Sequence, residues 1–319
     1  LFYLITVLGF AAMILVKDLW IETAAWSFFF ASVLSTVFFF LSIYKNHKVH
    51  LTLRFPSWEF TKDIWKFSLP LSVVVLCYWG ARRLDLLTVG HLTSSTELGY
   101  YSAAFVIVGL VSMLSTTISF IYQPVLSEMY GKKDIEGMKN VYPTVTKWIT
   151  AATLPVTLLM FFYPQECIGT IVGDKFLSAA PALQILAVGY FIYTAVGPNG
   201  GTLTVIGETR WQMWCAILSL VISAALILIL VPRIGFVGAA IATMGAITIP
   251  NFLRSLKLWK ETGIHFLHRE YILPLLVCIS LSFAFAGVYR YLLGASLTKA
   301  YVILIPWWGL IIVMAIFTL

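Results

Sequence analysis

FSLPLSVVVLCYWGARRLDLLTVGH, residues 67–91, decides how the chain is read. Its first part is an uncharged Val/Leu-rich run, yet Arg82, Arg83 and Asp85 follow before the next polar break. The composition around it fixes the setting. Across 319 residues, 60% are hydrophobic and 11% charged, whereas a soluble domain carries about 25% charged residues. The chain therefore reads as an all-α, polytopic integral membrane protein. A span needs about 20 apolar residues to cross about 30 Å of hydrocarbon, and long uncharged runs exclude the short alternating strands of an outer-membrane barrel.

About ten such helices fit the length. They are expected at residues 1–16, 20–44, 67–90, 98–128, 141–163, 179–206, 211–231, 235–256, 271–293 and 299–319. Basic residues between spans orient the chain, because cytoplasmic loops collect Lys and Arg. With the loop after residue 44 inside, fourteen basic residues, Arg254 and Lys257 among them, fall on the inner side and five on the outer. The net charge of +7 is thus a topology signal and not one for nucleic acid. The chain opens on Leu1 within an apolar run, which reads as a piece of a longer protein. Cys77, Cys167, Cys215 and Cys278 share no metal-type spacing and read as small apolar packers.

Organisation follows from a weak internal repeat. Sliding the chain by 215 lays residues 1–45 on 216–260 without a gap, with matching punctuation and eight identities. The offset moves six spans, and an even unit preserves orientation, so the repeat is parallel about the membrane normal. The expected layout is 1–45, the last two helices of an N-terminal lobe; 46–66, an interfacial linker; 67–260, a complete six-helix lobe; and 261–319, two further helices. Within the linker, FPSWEFTKDIWK at 55–66 sets Trp58 and Trp65 seven apart, suiting a segment that lies at the interface.

Charge inside a span needs a reason. An arginine at mid-depth costs about 2.5–3.5 kcal/mol on insertion scales. On a helix Arg82 and Asp85 share a face with Tyr78, while Arg83 points about 100° away. One reading pairs Arg82 with Asp85 and lets the arginines snorkel outward. The other has Arg82, Arg83, Asp85 and Tyr78 line a wet cavity between lobes and meet an anion, for which the guanidinium fork is suited. AVGPNGGTLTVIGE at 195–208 interrupts another span with Gly197, Pro198, Gly200 and Gly201, a kink or a hinge, with Asn199 as its best-placed polar side chain. Gln123, Glu128 and Asn251 are weaker polar candidates. The histidines sit at span ends or in loops without metal or acid–base spacing, and no phosphate-cradling motif occurs, so neither an enzyme nor a cofactor or metal site is expected.

FSLPLSV at 67–73, RRLDLLTVGHLTSSTELGYYSAAFVI at 82–107, QPVLSEMYGKKDIEGMK at 123–139 and GFVGAAIAT at 235–243 resemble the polysaccharide exporters. These are flippases of lipid-linked oligosaccharides in the multidrug/oligosaccharidyl-lipid/polysaccharide superfamily. The resemblance implies a two-lobe 6+6(+2) helix transporter in the cytoplasmic (inner) membrane. It implies alternating access for a polyprenyl-diphosphate-linked oligosaccharide, with Arg82 and Arg83 toward the diphosphate. It also implies membrane lipid as surroundings, H+ or Na+ as coupling ion, and association with glycan assembly proteins. A multidrug or metabolite exporter of the superfamily is the alternative, with a glycan polymerase behind it.

Overall fold

A computed structural model of the chain describes residues 21–47 and 57–265, together with Ser280. The spans expected at 1–16, 271–293 and 299–319 lie outside the described residues, as do residues 48–56 of the linker and Cys278. The chain divides into two compact units, Leu1–Thr61 and Lys62–Leu319. Among the described residues no strand occurs. In the first unit, α1 (Ile21–His47) is one apolar helix that leaves Trp26, Phe29, Phe30 and Phe38 exposed. Its Thr36 hydroxyl folds back on the Ser32 carbonyl at 2.8 Å, which hides a polar group from lipid.

The second unit is a bundle of long helices. α2 (Trp58–Leu92), α3 (Ser95–Gly131) and α4 (Ile135–Phe162) run to and fro with short turns. Ser94 caps α3 by accepting the Glu97 amide at 3.2 Å, and Asp134 caps α4 by accepting the Gly137 amide at 2.8 Å. α5 (Pro164–Ile171) and a 3-10 turn (Asp174–Ala179) make up the connection expected at 163–178. α6 (Ala180–Ala195) and α7 (Asn199–Val205) follow in one line with a break between them. α8 (Thr209–Thr262) is continuous by hydrogen bonding for 54 residues. At 1.5 Å per residue that is about 81 Å, far more than one crossing of about 30 Å. It is in fact two arms, because Ile234 and Gly235 leave helical geometry. Gly235 has φ +59°, and a Cβ there would run into the Glu97 carboxylate. That carboxylate accepts the Phe236 amide at 3.0 Å and so caps the second arm.

The stretch 58–66 forms the first turns of α2. Nothing in it breaks a helix, since Glu59 suits a first turn and Pro70 comes only later. The interruption expected at 195–208 divides the span at 179–206 into two helices.

The main core joins Val89 of α2, Ile107 and Val111 of α3, Leu183 and Leu186 of α6, and Ile227 and Ala239 of α8, all at most 1% exposed. Ala239, Ala240, Ala242 and Ala246 give the second arm a small-residue face, which lets helices approach closely in the absence of a hydrophobic drive within lipid. A second cluster at the opposite end packs Tyr122, Tyr142, Leu203 and Leu258. α2 is held more lightly, by Val74 and Cys77 against Ala216. Exposed Trp58, Trp65, Leu76, Trp79 and Leu87 cover its other sides.

Candidate functional site

Pro70, Val74, Cys77, Asp85 and Val89 are the buried residues of α2, and their steps of three, four or eight trace one helical stripe. Asp85 lies on it at 4% exposure, while Arg82 and Arg83 are exposed. The shared face expected for Arg82 and Asp85 is therefore divided: a step of three leaves about 60° between side chains, enough to send one inward and the other out. No Arg82–Asp85 ion pair forms within 4 Å.

Three hydroxyl groups meet Asp85 instead. Tyr101 of α3 donates to Oδ2 at 2.9 Å, Thr243 of the second α8 arm donates to Oδ2 at 3.1 Å, and Ser223 of the first arm donates to Oδ1 at 3.2 Å. Tyr101 and Thr243 also touch at 2.9 Å. Both oxygens of this buried carboxyl group therefore have hydrogen-bond partners. The knot fastens α2 to α3 and to both arms of α8. Outside it, the Arg82 guanidinium lies 3.8 Å above the centre of the Phe105 ring, a cation–π stack. Phe105 in turn meets Tyr190 edge-on.

The break between α6 and α7 is real, and the protein heals it. Gly197 has φ +86°, and a Cβ would overlap the Thr146 hydroxyl and press on Tyr142. The freed carbonyls find donors: Tyr142 donates to Val196 at 2.8 Å and Asn251 to Tyr193 at 2.9 Å. Asn199, 3% exposed, donates its amide to the Asn251 side chain at 2.9 Å and to Ser255 at 3.1 Å. The residue singled out for substrate is thus engaged with the second arm of α8. Of the four residues expected as a hinge, Gly197 and Pro198 stand at the break. Gly200 and Gly201 lie within α7, where Gln212 and Gln123 approach them too closely to leave much room for a side chain.

The residue that sequence reasoning missed is Arg254. Counted with the inner-side basic residues at the end of the span expected at 235–256, it sits in the second arm of α8 at 3% exposure. Its guanidinium lies 5.8 Å from the Tyr78 ring centre, and neither Nε nor Nη2 has a hydrogen-bond partner. No carboxylate comes within 4 Å of it among the described residues. Arg254 lines a cavity of about 260 Å³ with Tyr78, Ser112, Tyr190, Tyr193 and Ser219. Tyr78 thus lines a cavity inside the second unit. The available signal was spacing, since Ile247, Asn251, Arg254 and Leu258 follow one another at steps of three or four.

Among the described residues the fold is an all-helical bundle of membrane-length helices with a broken helix, a buried polar knot and an arginine-lined cavity. Residues 2–181 match the family described as "Polysaccharide biosynthesis protein", and the chain belongs to that family. An uncharacterized membrane protein of Methanocaldococcus jannaschii is 27% identical over 212 residues, 65% of this chain and 41% of its own length. A probable low-salt glycan biosynthesis flippase of Haloferax volcanii, Agl15, is 21% identical over 223 residues, 70% of this chain and 47% of its own. The chain thus spans less than half the length of these two relatives. Among solved structures, the lipid II flippase MurJ in an inward closed conformation has a TM-score of 0.67 at 17% identity, covering 99% of this chain and 65% of that one. At that identity the likeness speaks for the fold.

Proposed function

We propose that the protein containing this chain is a flippase that carries a polyprenyl-diphosphate-linked oligosaccharide across the cytoplasmic membrane by alternating access. Family membership supports this reading, as does the likeness to the flippases Agl15 and MurJ. The observation that carries it is the pair Arg82 and Arg83, both exposed on a membrane helix with no carboxylate within 4 Å among the described residues. Positive charge is costly in hydrocarbon and well matched to a diphosphate, whose oxygens a guanidinium can grip two at a time. A sugar diphosphate cannot cross lipid without losing its hydration, and a wet cationic path removes that barrier while the polyprenyl tail stays in the acyl region.

Residues 67–260 act as one six-helix lobe in this reading, rocking against an N-terminal lobe that ends in residues 1–45. Differential binding to inward and outward states biases the exchange. H+ or Na+ supplies the drive, and glycan assembly proteins deliver and receive the lipid. Asp85, buried beneath the two arginines, is the acidic group through which a coupling cation would be felt. A multidrug exporter of the superfamily would favour cationic cargo instead.

The test is a lipid-scrambling assay on proteoliposomes of the full-length protein, with a fluorescent polyprenyl-diphosphate sugar. Arg82→Ala/Arg83→Ala should slow transfer at least about tenfold while the protein stays in the membrane, since each lost charge-assisted contact removes about 1.5–3 kcal/mol. Unchanged transfer would exclude the arginines from the path, and transfer of lipophilic cations alone would favour the exporter.

A further inference from the structure

α2 changes character at Pro70. From Pro70 to Val89 a stripe of buried residues packs it onto its unit. Before the proline, every residue from Lys62 to Leu69 is exposed. At about 100° per residue such a run looks out in all directions, so this part of the helix has no face packed away. The proline also brings no amide to the Lys66 carbonyl, and a helix bends at such a missing link.

One face of the free segment nonetheless looks across to another element. Asp63, Lys66 and Phe67 share that face, and with residues 207–210 they line an open space of about 320 Å³. Residues 207–210 belong to the turn that joins α7 to α8, and the turn is well tied. The Glu208 amide donates to the Leu203 carbonyl and the Thr209 amide to the Gly207 carbonyl, both at 2.9 Å. Gly207 takes φ +87°, a backbone form open to glycine. The charges on the two sides are complementary, Asp63 and Lys66 on the helix, Glu208 and Arg210 on the turn. Asp63, Lys66 and Arg210 make no ion pair within 4 Å among the described residues. Glu208 lies 3.5 Å from Lys257, whose ammonium sits closer to Glu261, at 2.6 Å. Two acids and two bases thus stand on opposite sides of a gap, with one side fixed and the other free to swing.

We propose that residues 62–69 of α2 form a strap, hinged at Pro70, that closes on the α7–α8 turn by pairing Asp63 with Arg210 and Lys66 with Glu208. The arrangement described above is the open one. Each pair is exposed, so the latch is weak and reopens readily, and salt loosens it further. The device lies within Lys62–Leu319 and needs no cargo, so its test stands apart from the flippase reading.

Double electron–electron resonance on the full-length protein in nanodiscs reads the strap position. Spin labels go on Trp65→Cys and Leu256→Cys, both exposed and neither in the latch. The background carries Cys278→Ser, while Cys77, Cys167 and Cys215 are buried from the label. Two distance populations are expected. The shorter should be lost progressively between about 0.1 and 1 M salt, over which the screening length falls from about 10 to 3 Å. Asp63→Arg and Arg210→Asp should each cut the shorter population about two- to fivefold, the worth of one exposed pair. The two together restore the pair with its signs exchanged and should recover it, which also shows that the single variants fold. Lys66→Glu should lower it as the single variants do. Pro70→Ala supplies the missing amide and should leave one population. A single distance indifferent to salt, or an exchanged pair no better than its parents, overturns the strap, and two populations surviving in Pro70→Ala overturn its hinge.

Discussion

Asp85→Ala should loosen α2 from the rest of its unit. That helix packs little apolar surface inward, Val74 and Cys77 against Ala216 with Val89 in the main core. The knot at Asp85 is therefore a large share of what holds it. Three hydroxyls donate to the carboxylate, at 2.9, 3.1 and 3.2 Å. Interhelical hydrogen bonds in membranes contribute about 0.6 kcal/mol on average and up to about 1.7, so three amount to roughly 2–5 kcal/mol. Removal of the carboxylate frees Tyr101 and Thr243 to bond fully to each other, since they already touch at 2.9 Å. A net loss of about 1–3 kcal/mol remains. For a domain of this size that lowers the unfolding midpoint by about 2–12 °C. Asp85→Asn keeps the shape and one acceptor, and its amide can donate to the Ser223 hydroxyl, so its midpoint should stay within about 3 °C of wild type. Cys77, Cys167 and Cys215 are buried free thiols, which allows unfolding to be followed by a thiol-reactive dye on the purified protein. The alanine and asparagine variants melting together, both near wild type, would refute the knot as the fastening of α2.

Gly197→Ala should cost about 2–4 kcal/mol, because it combines strain at φ +86° with overlap on the Thr146 hydroxyl; reduced yield of folded protein and a lowered midpoint would show it, and an unshifted midpoint would mean the break can relax. Glu97→Ala removes the acceptor of the Phe236 amide and should cost about 1 kcal/mol, the value of a lost helix cap. Glu97→Gln, whose amide oxygen still accepts, should recover most of that, so equal loss in the two would point to charge and not to capping.

How much of this was written in the sequence depends on the range of each signal. Among the described residues helix positions were legible because apolar runs, Gly/Pro punctuation and basic inner ends are local. The turn at 234–235 falls between the spans expected at 211–231 and 235–256. Partners were not legible. Asn199 was rightly singled out as polar within a break, yet its amide goes to Asn251, 52 residues away. Asp85 was rightly singled out as anomalous, yet its donors come from positions 101, 223 and 243. Arg254 was passed over for a local reason: it stands at the inner end of the span expected at 235–256 with Lys257 and Lys260 close behind, and only the packing of α8 shows that it alone of the three is buried.

That oversight bears on why Arg254 is there. A guanidinium about 12 Å from the helix end is within reach of snorkelling, in which the stem lies along apolar surface and the charge reaches water. Lys257 and Lys260, one turn further on, take that course: Lys257 pairs with Glu261 at 2.6 Å near the surface and Lys260 is exposed. Arg254 turns the other way, into the bundle and against the Tyr78 ring, although the solvated route was available to its neighbours on the same helix. A cation–π contact with the Tyr78 ring 5.8 Å away contributes about 0.5–2 kcal/mol, so Arg254→Met should lower the unfolding midpoint of the purified protein by about 1–8 °C, and an unshifted midpoint would show that the ring is not what turns the guanidinium inward.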